Sequence, residues 1–370
     1  MVLSASAALL VLVVAGMLHI RAARRERKAY AASLFNLGRT YQFGDGVTKD
    51  PVKAVEWYRA AAEQGHSGAQ RLLGCWHILG SNGVQENPTE AARWYRKAVK
   101  QGDTLSQYAL GTQYANGVGV PRNPAEAARL YRLAAEGGLV LAQLLLGESY
   151  YLGKGVRKDP TEAARWYRMA AEQGFADAQF IVGHMYLIGD GVAKDATEAA
   201  RWFRMAAEQG LAQTQFNLGN MYHTGEGLAK DDAEAVRWYR LAAEQGLADA
   251  QFNLGRMHHF GAGVATDEAE AARWYRKAAE QGHAAAQCLL GVAYLNGLGM
   301  TKDSTEAVLW LGKAARQGEA KAQCLLGYMY YNSDGVDKDY AQAKRWIGEA
   351  RKNGLEQAGE AWDTLELWKY

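Results

Sequence analysis

An all-α solenoid is what this sequence predicts, and three observations carry the prediction. A phrase recurs: EAARWYRMAAEQG occupies residues 162–174, and near-copies start at Glu90, Glu126, Glu198, Glu234, Glu270 and Glu306. A glycine, usually preceded by leucine, falls at Gly38, Gly74, Gly111, Gly147, Gly183, Gly219, Gly255, Gly291 and Gly327, in steps of 36 residues with a single step of 37. A tryptophan keeps the same period at Trp57, Trp94, Trp166, Trp202, Trp238, Trp274, Trp310 and Trp346, with Leu130 in the one gap. A phrase repeated at constant spacing is a structural module, because a short unit can bury its apolar face only against its neighbours. The chain therefore reads as nine units, not as the two or three globular domains that 370 residues would ordinarily suggest.

The first element, residues 1–29, breaks the period. VLSASAALLVLVVAGMLHI is 19 residues long with no charge apart from His19, and Arg21, Arg24, Arg25, Arg27 and Lys28 follow it. At about 1.5 Å per residue such a helix spans roughly 28 Å, enough for a bilayer core. No Lys or Arg precedes the apolar run, as the basic start of a cleaved signal peptide would require. The pattern favours a retained transmembrane helix with its basic flank inside. It predicts a single-pass inner-membrane protein with a cytoplasmic solenoid. A periplasmic or secreted envelope-side solenoid is the alternative.

Residues 30–354 hold the nine units. In the fifth, Ala176–Gly210, the recurring Gln179, Val182, Gly183, Tyr186 and Gly189 share one helix face. A glycine kept inside a helix, as Gly183 is, costs about 1 kcal/mol relative to alanine and points to a close approach by a neighbour. A Gly-x-Gly turn follows. The second helix opens on Asp or Asn, at Asp50, Asn87, Asn123, Asp159, Asp195, Asp231, Asp267, Asp303 and Asp339, with Pro next in the first four. A Glu three residues after the cap in most units resembles a capping box. A C′ glycine, Gly210 in this unit, ends the helix. Each unit is thus helix A, a glycine turn, helix B and a tighter turn, and the Trp of helix B is large enough to fill the gap between units.

This unit resembles the Sel-one-like repeat, a relative of the tetratricopeptide repeat with a slightly longer period. The residues that carry the resemblance are AQxxLGxxYxxGxGVxKDxxEAxxWYRxAAEQG, read from Ala178 to Gly210 with Phe203 in place of Tyr and Ala193 in the loop. It covers about Ala31 to Gly354. It implies a right-handed α/α superhelix of nine helix-turn-helix repeats, with helix A lining a concave face. It also implies an interaction scaffold, often a bacterial adaptor, without naming a partner. Some secreted relatives staple each repeat with a disulfide, and this chain has nothing of that kind. Of its three cysteines, Cys288 and Cys324 hold one position in adjacent units, where packed helices lie about 8–10 Å apart, too far for an easy bridge. All three, with Cys75, read as small apolar residues.

The last element, residues 355–370, lacks the glycine turn and reads as a capping helix, with Trp362 and Trp368 as apolar cover. A partner-docking tail is the alternative.

Columns that vary while the rest of the unit is fixed are free for function. On helix A these lie three before, one after and four after the recurring glycine, on one stripe. In the middle units the stripe reads Phe180, His184; Phe216, Asn220, His223; and Phe252, Arg256, His259. Aromatics interleaved with Asn, His and Arg suit capture of a protein or peptide, rings taking side chains and polar groups fixing the backbone. The bland alternative is that the Phe ladder is inter-repeat core.

Other functions are disfavoured. A zinc site needs three or four convergent ligands, and His184, His223, His258 and His259 offer no compact pair with an acid. No metal and no cofactor are expected. Catalysis is not expected either: no segment outside the repeats is long enough for a catalytic domain, and the recurring Gly-x-Gly pairs are turns, not phosphate cradles. A hydrolase using Glu148 and His184 as an acid/base pair is the weakest alternative. Net charge is only +2. The Arg column from Arg59 to Arg276 is balanced by a Glu column from Glu63 to Glu280, four residues on except at Arg96, which reads as a helix-surface ion-pair ladder, so neither a nucleic-acid partner nor a small-molecule substrate is expected.

Overall fold

The structure, a computed structural model, describes the backbone from Ala5 to Lys369 and the side chains from Met17 onward, apart from Trp368. Among the described residues every element is helical, with nine helix A–helix B pairs and no strand. Two compact bodies are present. One comprises Met1–Ala178 with Asp190–Val192, the other Gln179–Gly189 with Ala193–Tyr370.

Within a unit the helix boundaries follow from local chemistry. Helix A of the sixth unit (Ala212–Thr224) ends on Gly225 in the left-handed region, and helix B (Asp232–Glu244) opens on Asp231, whose side chain accepts from the Ala233 and Glu234 amides. The nine Asp and Asn caps all accept in this way, as at Asp50, Asn87 and Asp339. The expected capping box forms only by half. The cap's own N–H donates instead to a helix A carbonyl, Asp231 to Tyr222 and Asp267 to His258. The Glu three residues on is left to pair with Arg, as Glu234 does with Arg237 at 3.1 Å, or to accept from an indole, as Glu270 does from Trp274 at 2.8 Å.

In the first seven units the recurring glycine of helix A faces the aromatic ring of its own helix B, and in the last two Leu311 and Ile347 take the ring's place. A Cβ on Gly219 would lie 2.7 Å from the Tyr239 ring, and one on Gly183 equally close to Phe203. The ring seals the pair of helices, and any side chain there would displace it. Between units the tryptophan acts as expected: Trp274 is buried with Leu254 of its own unit and with Tyr239 and Ala243 of the unit before. The second glycine of most turns lies on the start of the preceding helix B. Gly155 packs on Pro124, and Gly227 on Ala196, at distances that leave no room for a Cβ.

A buried glutamine ladder adds polar joints that periodicity alone did not reveal. Gln251, 4% exposed, donates to the Ala243 carbonyl at 3.0 Å and accepts from Gln281 Nε2 at 2.8 Å. One side chain thereby joins the preceding helix B, its own helix A and the end of its own helix B. Gln143, Gln215, Gln287 and Gln323 repeat both bonds, with Asn353 as the last donor.

The Arg column departs from its expected ladder. Arg168 reaches Glu172 at 3.0 Å, but Arg96, Arg204 and Arg276 donate to Tyr114, Tyr222 and Tyr294, each eighteen residues on in helix A of the next unit. In the seventh unit His258 stands in this tyrosine's place, buried, with Arg240 Nη2 at 3.4 Å. Burial first, and then the Arg240 charge, hold its imidazole below the ordinary histidine value. The folded chain therefore binds this proton less readily than the unfolded chain, and stability falls as pH drops below about 6.5. His258→Tyr should narrow the drop in urea midpoint between about pH 7.5 and about pH 5. An unchanged drop would place the acid sensitivity elsewhere.

The N-terminal expectation is corrected. Among the described residues no helix is long and apolar enough to cross a membrane. One helix runs from Ala5 to Phe43, through the Arg21–Lys28 charges into the first unit. Val2, Leu3 and Ser4 lie outside the described residues. The single-pass inner-membrane reading, and the sidedness that rested on it, are withdrawn. At the other end, helix Glu356–Thr364 and the 3-10 turn Leu367–Lys369 bury Ala358, Ala361 and Leu367 against Ile347 and Ala350 of the last helix B. Trp362 is half-buried there. The Trp368 side chain lies outside the described residues. The cysteines are free, with Cys288 and Cys324 buried, and burial pushes the Cys288 thiol up to about 12.

Candidate functional site

The eight stripe residues all lie in the second body, and the structure sorts them by depth. Phe180, Phe216 and Phe252 are half-buried. Each leans on the helix B aromatic of its own unit, at 6.0 Å from Phe203, 5.9 Å from Tyr239 and 6.1 Å from Tyr275 respectively. Phe252 also stacks on His283 at 4.6 Å. His223 and His259 close the turns: His223 Nδ1 lies 2.6 Å from Asp232, and His259 Nδ1 2.8 Å from Glu268, tying the end of helix A to the start of helix B. His184 is exposed. Among the described residues no three His, Cys, Asp or Glu side chains converge as metal ligands.

Asn220, His223 and Arg256 do come together. With Tyr239, Asn253, Met257, Phe260 and Ala262 they line a depression of about 260 Å³ between the sixth and seventh units. Its hydrogen bonds are directional. Asn220 Oδ1 accepts from the Tyr239 hydroxyl at 2.7 Å and from Asn253 Nδ2 at 3.2 Å. Burial pushes the Tyr239 hydroxyl up to about 12, so it remains a donor. The Arg256 guanidinium stands 5.9 Å from the ring centres of both Phe252 and Phe260, one turn before and one turn after it on the same helix.

Sequence reasoning missed Phe260 and Asn253. Phe260 is 68% exposed, and Phe43, Leu79, Leu152 and Ile188 hold the same exposed place in other units. The available signal was a large apolar residue just before a helix-ending glycine, four residues past the variable column that holds Arg256 and so on its face. Asn253 belongs to a column two before the recurring glycine. Only the neighbouring unit brings it to Asn220.

Three units earlier, in the first body, the same place is a depression of about 370 Å³ whose lining includes Tyr108, Thr112, Tyr131, Leu145, Glu148 and Lys154. Glu148 replaces Arg256, and its carboxylate accepts from Lys154 Nζ at 2.8 Å. The acid of the hydrolase alternative is thus held by a lysine, and His184 belongs to the other body.

Stacked helix pairs with fixed interiors and one variable face define the class: an α/α repeat scaffold. More particularly, the chain belongs to the Sel1 repeat family, whose profile matches residues 31–66, 67–103, 104–139, 140–175, 176–211, 212–247, 248–283, 284–319 and 320–355. Proteins of this family generally mediate protein–protein interactions, and the fold is typically a non-enzymatic scaffold. Among solved structures the chain is similar to c5321, a protective antigen of uropathogenic Escherichia coli with an SLR fold, at 40% identity and TM-score 0.78 over 91% of this chain and 72% of that one. It is also similar to a Sel1 repeat protein from Oxalobacter formigenes, at 34% identity and TM-score 0.65 over 85% of this chain and 94% of that one. No curated protein matches.

Proposed function

We propose that the chain is a protein-binding scaffold that takes an extended segment of a partner along the helix A face of its second body. Phe180, Phe216 and Phe252 form the floor of the contact. His184, Asn220, His223, Arg256 and His259 supply its polar groups, and Phe260 its apolar rim. In this reading residues 30–354 are the binding array and residues 355–370 its end cap. One observation carries the proposal. Behind the face most units repeat the same glycine, glutamine and aromatic contacts, while on the face the residues change from unit to unit: His184 and Ile188, Asn220 and Thr224, Arg256 and Phe260. A surface whose interior is held constant and whose exposed chemistry varies is suited to reading another chain.

Selection from a displayed peptide library, with the full chain immobilised, tests this. Phe260→Ala should weaken the selected peptides by roughly tenfold, the effect of removing an apolar anchor. Arg237→Ala, on the outer side of helix B, should leave them unchanged. Phe260 is the cleaner probe than Phe216, which also packs against Tyr239. Equal binding by Phe260→Ala and the parent would remove the helix A face from the proposal.

A further inference from the structure

The depression between the sixth and seventh units holds one cation, Arg256, and no carboxylate in its lining. Besides the amide of Asn253, the side-chain carbonyl in its lining is Asn220 Oδ1, which is consumed by two donors, Tyr239 and Asn253. That fixes the amide: with its oxygen engaged, Asn220 turns its NH₂ to whatever enters. His223 engages Asp232 through Nδ1, so in the neutral ring its Nε2 is an acceptor. Arg256 has five N–H donors and forms no ion pair among the described residues. The acids of the adjoining turns are already taken, Asp232 by His223 and Lys230, Glu268 by His259. One unit on from Tyr239, the Tyr275 hydroxyl is buried with no hydrogen-bond partner. Burial raises its pKa, and the Arg256 charge opposes the rise.

A cation flanked by two phenyl rings and by the Asn220 NH₂ is complementary to an anion that accepts several hydrogen bonds at once. Phe252 and Phe260 hold the planar guanidinium for bidentate recognition, which a carboxylate matches and an amide does not. We infer that this depression binds the side-chain carboxylate of an aspartate or glutamate in the partner segment, with Arg256 as its main counter-charge and Asn220 as a second donor. The side chain is favoured over a chain end because helix A faces continue on both sides, at His184 and Ile188 before it and at Val292 and Asn296 after it. A segment can run through. The inference rests on the proposed peptide-binding reading and adds the chemistry of one subsite. The first body differs at the equivalent place, where Glu148 is acidic and already paired with Lys154.

Arrays of short peptides, acetylated and C-terminally amidated, with Glu, Gln or Lys fixed at the centre of random flanks, test it with the full chain as probe. At low salt the Glu series should bind about tenfold more tightly than the Gln series, and the Lys series least. Arg256→Met should level Glu with Gln. Arg256→Lys should keep part of the preference, as a point charge without the fork. Arg256 is exposed, so Arg256→Met should melt close to the parent, which a thermal scan checks. Peptide binding without a preference for Glu, or a preference that survives Arg256→Met, would overturn the carboxylate subsite and leave the scaffold reading standing. A preference seen only with free C-terminal carboxylates would overturn the side-chain assignment. Absence of binding to every series would overturn the peptide-binding reading and this inference together.

Discussion

Gly227→Ala is expected to destabilise the second body by about 3 kcal/mol or more, a large effect for one added methyl group. Two penalties coincide. Gly227 has φ of +72°, where an L side chain costs roughly 1–2 kcal/mol. A Cβ would also sit 2.2 Å from the Ala196 carbonyl oxygen and 2.4 Å from its carbon, both backbone atoms at the start of a helix. Neither can move without shifting the preceding helix B. In a repeat array such a shift breaks a nearest-neighbour interface, so it uncouples units as well as straining one turn. Gly210→Ala is the matched control. Its φ is +92°, but a Cβ there would meet nothing within 4 Å. It should show the backbone penalty alone. Urea unfolding followed by far-ultraviolet circular dichroism separates them, and equal losses would mean that the turn does not bear on the unit before it.

Gln251→Leu should cost about 2–3 kcal/mol despite its similar size, because it strips a buried carbonyl and a neighbouring amide of their shared partner. Ala243 would lose its side-chain donor, and Gln281 the oxygen it donates to. Gln281→Ala should cost less than about 1 kcal/mol, since Gln281 is exposed and water can replace it at Gln251 Oε1. Hydrogen exchange resolved along the chain would show the difference: Gln251→Leu should loosen amides in the sixth and seventh units together, Gln281→Ala only near the seventh turn. Loosening confined to one unit in both variants would show that the ladder does not couple units.

Much of the unit was legible in the sequence because its signals are local. An Asp at a helix start, a glycine just past a helix end and an apolar stripe at helical spacing each act within a few residues. The capping box shows the limit of such reasoning. Asp231 and Glu234 have the right spacing, yet the cap N–H is already bonded to Tyr222, and Glu234 is drawn to Arg237 instead. The Arg column shows it again: i to i+4 spacing suggested Glu as the partner, and a tyrosine eighteen residues away displaced it at Arg204 and Arg276. The apolar N-terminal run was read by length and composition. The continuous helix from Ala5 carries it into charged, repeat-forming chain, and no membrane span remains among the described residues.

The sequence by itself determined the nine-fold period, the two helices of each unit, their caps and turns, and the face on which variation collects. Tertiary structure alone decided what that face is made of. Helical spacing places Phe216, Asn220 and His223 on one side of a helix, but it does not say how far the neighbouring helices cover each one. Tyr239 packs on the half-buried Phe216, Asn253 arrives from the next unit to orient Asn220, and Phe260, one position beyond the stripe, is left in solvent beside Arg256. The partners that orient Asn220 lie 19 and 33 residues away in the chain, and only the packed units bring those atoms within reach.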